Sequence, residues 1–177
     1  MSDDAIKTLV TLAHHRLKVQ EALNVVTRDL ETRSLVHDAS KYQDDEFAGF
    51  TRINRTAREH PYGSAEYRAS LKQEKPTISL HYARNSHHPE FWGDDSCGGD
   101  AHSMRLLDLI EMVCDWWAAW TVYDGQRPVE QRSTWWENIW KQKERFLDTG
   151  LLSPAQWFVV QEVARLLGPE KEPSPAP

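Results

Sequence analysis

Apolar residues recur along most of the chain at spacings of three and four, the period of a helix with one buried face. From about Asp4 to Thr32 the series is Ile6, Leu9, Val10, Ala13 and Leu17, then Leu23, Val26 and Leu30, with Ser2, Asp3 and Asp4 available as caps. A second, shorter helix is expected around Ser34 to Ala57, carrying Phe47, Phe50 and Ile53, with His37-Asp38 at or just before its start. His60-Pro61-Tyr62-Gly63 breaks the chain. Ser64 to Lys75 reads as helix before Pro76, and a further helix from Thr77 runs through His81 and Asn85 to Pro89. Gly93 to Asp100 has the composition of a surface loop. Met104 to Tyr123 is the most apolar stretch and predicts one helix crossing the middle of the domain. Beyond a polar turn at Asp124 to Pro128, Trp135–Trp140 and Trp157–Val160 mark two more helices, separated at Thr149-Gly150, the second opened by Ser153-Pro154. No strand-like alternation competes. The fold class expected is all-α, a bundle of about six or seven helices forming one domain over residues 1–168, with a disordered Pro/Glu/Ser-rich tail at 169–177.

Composition adds limits. With 21 Lys and Arg against 27 Asp and Glu among 177 residues, the net charge of -6 sets the whole-molecule field against phosphate backbones, so long nucleic acid is not an expected partner. A mean hydropathy of -0.67 and an apolar stretch interrupted by Asp and Glu leave no expected membrane span. The polar, acidic start MSDDAIK lacks the pattern of an export signal, and two cysteines, Cys97 and Cys114, make no disulfide framework. The expected setting is therefore cytoplasmic, the host cytoplasm if phage-encoded, with free thiols. Eight tryptophans read as core, since their helical spacing among apolar neighbours explains most of them; eight histidines need their positions read.

The apolar Met104–Tyr123 stretch carries Asp108, Glu111 and Asp115 within one sector of the helix. Each needs a cation, a donor, a metal or water, because an unpaired buried carboxylate costs several kcal/mol. That face either borders water, pairs with arginines such as Arg16, Arg84 or Arg105, or faces a metal. The histidines favour the last. His14 and His15 lie on the first helix, His37 precedes Asp38, and His81, His87 and His88 cluster with Asn85 ahead of Pro89. On the expected helix His81 and His88 are two turns apart on one face. Imidazole nitrogen with carboxylate oxygen suits a divalent transition metal.

His37-Asp38-Ala39-Ser40-Lys41, entered through Leu35-Val36, resembles the signature of the HD superfamily of metal-dependent phosphohydrolases. His87-His88-Pro89-Glu90 is similar to the His-His-x-Glu of its HD-GYP branch, although the diagnostic Gly-Tyr-Pro is absent. A closer resemblance is to a family of small phage and bacterial proteins of HD-like pattern. It is carried by His-Asp-x-Ser-Lys with Glu46-Phe47 following, by His81, Asn85, His87 and His88 with Trp92 after them, and by Glu111, Met112, Asp115 and Trp116. The departures are Pro89-Glu90 after the histidine pair and the spread of tryptophan in the C-terminal third. The resemblance implies an all-α HD-like fold. It further implies that His15 (or His14), His37, Asp38 and Asp115 hold a first metal, with His81, His87 and His88 at a neighbouring position or on the open side of the first. One or two divalent ions (Mn, Fe, Zn, Ni or Co) are the expected cofactor.

An acidified metal-bound water would supply hydroxide to phosphorus, so the expected function is hydrolysis of a phosphoester of a small nucleotide or related metabolite. Lys41 either neutralises charge on the phosphoryl group or is a solvated surface lysine. Glu111 is a general base, a ligand to a second metal or, favoured, a carboxylate orienting a ligand histidine. Asn85 either orients a ligand or substrate oxygen or is a helix-surface amide, and Arg84, with Arg16, Lys18, Arg52, Arg55 and Arg58, could form a basic mouth for substrate. His60 precedes a proline between the two histidine motifs but reads as a turn residue and is not placed among the ligands. Alternatives are an iron-dependent HD-like oxygenase and a non-catalytic metal-binding interaction protein. Self-association into a homo-oligomer is compatible with all three.

Overall fold

The computed structural model describes residues 1–60, 64–93, 100–125 and 128–168. Three expectations fall outside these residues: the thiol of Cys97 in its loop, the break at Pro61-Tyr62-Gly63, and the 169–177 tail. Among the described residues the protein is all-α, with eight α-helices and no strand. None of those helices is long and apolar enough to cross a membrane. The chain divides into two compact units, Met1–His37 and Asp38–Pro177.

The first unit is one helix, α1 (Asp3–Val36). It starts as expected, with the Ser2 hydroxyl accepting from the Ala5 N–H at 3.2 Å and Asp3 and Asp4 in the first turn, where the helix dipole favours negative charge. It ends four residues later than expected, because Arg33 and Ser34 continue it rather than opening the next helix. No residue of α1 is buried.

The second unit opens on a reversal. Asp38 takes a left-handed backbone (φ 55°, ψ 19°), a conformation that Asp and Asn tolerate better than other residues with a Cβ. A single 3-10 turn, Ala39–Tyr42, follows, and only then does α2 (Asp44–Glu59) begin, with Asp44, Asp45 and Glu46 in its first turn. The expected start at Ser34 is thus ten residues early. The left-handed residue ends one helical run before the acidic triplet starts another.

Helices α3 (Ala65–Gln73) and α4 (Lys75–Arg84) are nearly continuous. Pro76 lies in the first turn of α4, where its missing N–H has no partner to lose, so it opens this helix instead of separating two. Glu46, Gly49 and Ile53 are the buried positions of α2, and Thr77 and His81 those of α4. A Cβ added at Gly49 would overlap the Thr77 side chain, so only glycine lets the two helices approach this closely. Gly49→Ala is expected to lower stability by about 1–3 kcal/mol through overpacking, read as a fall in denaturation midpoint. An unchanged midpoint would show that α4 yields freely.

Helix α4 stops at Arg84, so His87 and His88 do not lie on it as expected; they occupy the turn before α5 (Pro89–Trp92). Pro89 disfavours the helical region for the residue before it, and His88 is accordingly extended (φ -97°, ψ 129°). Asn85 completes the stop by donating its side-chain amide to the His81 carbonyl at 2.7 Å.

The expected Met104–Tyr123 helix is shorter: α6 spans Leu106–Ala119 and continues as a wider π-helical segment, Trp120–Asp124. Buried Asp124 accepts from both the N–H and the hydroxyl of Ser133 at 2.6 and 2.8 Å, holding the end of that segment. Leu109, Met112, Val113 and Trp116 of α6 form the core with α7 (Trp135–Phe146) and α8 (Pro154–Leu167). Both later helices carry reciprocal capping boxes, Thr134 with Glu137 and Ser153 with Gln156. Trp116, Trp135, Trp136 and Trp157 are buried, and Trp117, Trp120 and Trp140 pack against them, so the tryptophans are core as expected. Trp116 stacks on Phe146 at 5.2 Å, and the Trp135 indole N–H donates to the Ala164 carbonyl at 2.9 Å.

Candidate metal centre

Four side chains of the second unit converge. Asp38 comes from the left-handed turn, His81 from the last turn of α4, and His87 and His88 from the turn before Pro89. Each offers one ligand atom, and these lie within 4.8 Å of one another, with His81 and His87 buried and Asp38 and His88 partly so. Asp38 Oδ1 is 3.2 Å from His81 Nε2 and 3.4 Å from His87 Nε2, and the Nε2 atoms of His81 and His88 are 3.0 Å apart. A tetrahedral transition-metal site with bonds near 2.1 Å has ligand-to-ligand edges of about 3.4 Å, so these separations are close to those of a first coordination sphere. His81 and His88 meet through the turn, not along a helix face.

What stands behind these atoms favours the same reading. His81 Nδ1 faces Glu46 Oε2 at 2.9 Å, and His87 Nδ1 faces Glu111 Oε1 at 3.3 Å. A carboxylate taking the Nδ1 proton leaves the Nε2 lone pair directed at the cluster, the usual support of a metal-bound histidine. Glu46 is fully buried; it also accepts from the Ser40 hydroxyl at 2.9 Å and from Arg84 Nη1 at 3.0 Å. Asn85 donates to the Ser40 hydroxyl at 2.8 Å. Lys41 pairs with Asp38 Oδ2, leaving Oδ1 toward the imidazoles, and its ammonium lies 4.8 Å over the Phe50 ring. Phe50 meets His81 edge-on at 5.0 Å, and Tyr82 lies 4.7 Å from His88. Burial, with the nearby His87 and His81, pushes His88 down to about 2, so this ring is neutral at neutral pH and keeps the lone pair a metal needs.

The turn carrying His87 and His88 is tied to α6. Ser86 donates to fully buried Asp108 at 2.6 Å, Arg105 reaches the other Asp108 oxygen at 3.2 Å, and the Trp92 indole donates to the Ser86 carbonyl at 2.7 Å. The three carboxylates of the apolar stretch thus divide: Asp108 is satisfied by a hydroxyl and an arginine, Glu111 backs His87, and Asp115 places an oxygen within 4.8 Å of a His87 ring nitrogen.

Arg84 is held by Asp45 at 2.6 and 2.9 Å as well as by Glu46, and the pairing lowers Asp45 and raises Arg84. Arg52 pairs with Glu74. The recess beside the centre is lined by Ser40, Gln43, Asp44, Asp45 and Arg84. Carboxylates thus offset the charge of Arg52 and Arg84, two residues of the expected basic mouth. His15, exposed on α1, and His37, which follows α1, belong to the first unit. Glu46 is not among the site residues expected from the sequence. Its signal was the i, i+3, i+7 register with Gly49 and Ile53, which places a carboxylate on the buried face of α2.

The fold and the centre define an all-α protein with a buried histidine–carboxylate group that could hold a metal ion. The chain belongs to the family of unknown function DUF5662, whose model matches residues 5–166. No curated protein and no solved structure matches it.

Proposed function

We propose that this protein is a metal-dependent phosphohydrolase of the HD type, acting on a phosphoester of a small nucleotide or related metabolite. The observation that supports this most is the convergence of Asp38, His81, His87 and His88, with two of the imidazoles backed by carboxylates. A divalent transition ion in that set supplies a Lewis acid that acidifies water and offsets phosphoryl charge. Glu46 and Glu111 fix the proton positions of His81 and His87. Lys41 orients Asp38 and is the cation assigned to the phosphoryl group. Asn85 and Arg84 steady Ser40, His81 and Glu46, and Asp115 is assigned to a neighbouring ion beside His87. His15 and His37 enter the ligand set on the resemblance. The net charge of -6 favours a small substrate over a polymer.

The test is elemental analysis of the purified chain followed by a screen of nucleoside mono-, di-, tri- and cyclic phosphates, with His81→Ala as control. Turnover that needs the metal and disappears in the variant is the expected result. Full metal occupancy with no hydrolysis of any of these would overturn the assignment, and dioxygen consumption by an iron-loaded chain would replace it with oxygenase chemistry.

A further inference from the structure

The longest helix buries nothing. Of the 34 residues of α1 none is buried, and Leu9, Leu12, Val19, Leu23 and Val26 are each between 45% and 61% exposed. These five and Leu30 follow one another at alternating steps of three and four once Arg16 is counted, with Ala5 extending the series at the start. That is the a/d seam of a coiled coil, running for about 39 Å at 1.5 Å per residue. A strict seven-residue repeat matches another helix of the same repeat, and α1 itself carries one.

We propose that α1 pairs with α1 of a second copy of this chain in an antiparallel coiled coil. Charge selects both partner and direction. Lys7, Arg16, Lys18, Arg28 and Arg33 balance Asp3, Asp4, Glu21, Asp29 and Glu31, so α1 carries no net charge although the chain carries -6, and two copies approach without the repulsion of the whole. In a parallel, in-register pair Arg16 would face Arg16 inside the seam. In the antiparallel pair Arg16 faces Val19, while Leu9 meets Val26, Leu12 meets Leu23, and Ala5 meets Leu30. Most positions flanking the seam, among them Thr8, Ala13, Ala22 and Thr27, are small or uncharged and allow close approach, with Asp29 the charged exception. The six large seam residues together expose about 500 Å² and Ile6 beside them about 80 Å² more, so covering these on both copies removes about 1,200 Å², the lower bound for a specific, stable interface.

Light scattering on the full chain is expected to give twice its 20.5 kDa mass, and Leu12→Glu with Leu23→Glu to return it to a single mass with helical content kept. A monomeric wild type, or a dimer that survives both substitutions, would overturn the proposal. A second measurement does not depend on the glutamate variant folding. In a Cys97→Ser, Cys114→Ser background, a mixture of Arg16→Cys and Val19→Cys chains should form a disulfide-linked pair on mild oxidation, and neither chain alone should. Cross-linking of each alone, or of neither alone nor mixed, would rule out the antiparallel seam.

Discussion

Asp38→Asn is expected to weaken binding of Zn2+ or Co2+ by more than about 100-fold while leaving the fold in place, beyond the range typical for losing a partner that only orients a ligand. The substitution removes charge without disturbing the backbone. Asn tolerates the left-handed conformation of residue 38 at least as well as Asp, so the turn survives. What disappears is the anionic oxygen 3.2 and 3.4 Å from the His81 and His87 Nε2 atoms. The Lys41 pair is lost too, at a cost of about 1 kcal/mol or less for a partly exposed ion pair. Competition against a chelating dye measures the affinity, and Asp29→Asn on α1 serves as control. Equal affinities for the wild type and Asp38→Asn would remove Asp38 from the ligand set.

The largest expected loss of stability is at Glu46. This carboxylate is fully buried and satisfies Ser40, Arg84 and His81 together, so Glu46→Ala leaves three donors around an apolar gap. Removing one member of a buried charged set costs about 3–5 kcal/mol. Arg84 keeps Asp45 and some contact with water, so the lower end, about 3 kcal/mol, is expected. In a chain of this size that is a fall in melting temperature of about 6–12 °C. Glu46→Gln, which retains an acceptor, should recover most of the stability but bind metal about 10–100-fold more weakly than the wild type, because the carboxylate behind His81 is gone. Melting curves that coincide for the wild type and Glu46→Ala would contradict the network.

The helical class was legible because the three-and-four spacing of apolar residues is carried by most of the chain, and the Ser2 and Ser153 starts were written in side chains that cap. Boundaries within the site were less so. A reading by period treats His81 to Pro89 as one helix, since nothing in hydrophobic spacing registers that Pro89 forbids a helical His88 or that Asn85 can cap the carbonyl of His81. Asp38 hid its left-handed turn in the same way, because Asp is also an ordinary start residue for a helix. The histidines themselves were legible as a cluster. Their supports were not, because Glu46 sits in an acidic triplet that helix-dipole reasoning already explains, and only the facing helix α4 shows which of the three acids turns inward.

The hydrogen bond from Ser86 to Asp108 joins the histidine turn to the same helix that carries Leu109, Met112 and Val113 into the core. Any ion held at the centre would thereby share a single thermodynamic cycle with folding of the tryptophan core. An ion that binds only the folded chain adds RT ln(1 + [ion]/Kd) to its stability, about 2.7 kcal/mol when the free ion is at 100 times Kd. The chain's resistance to unfolding, and through it its lifetime among proteases, would then follow the supply of transition metal around it, quite apart from any reaction it performs.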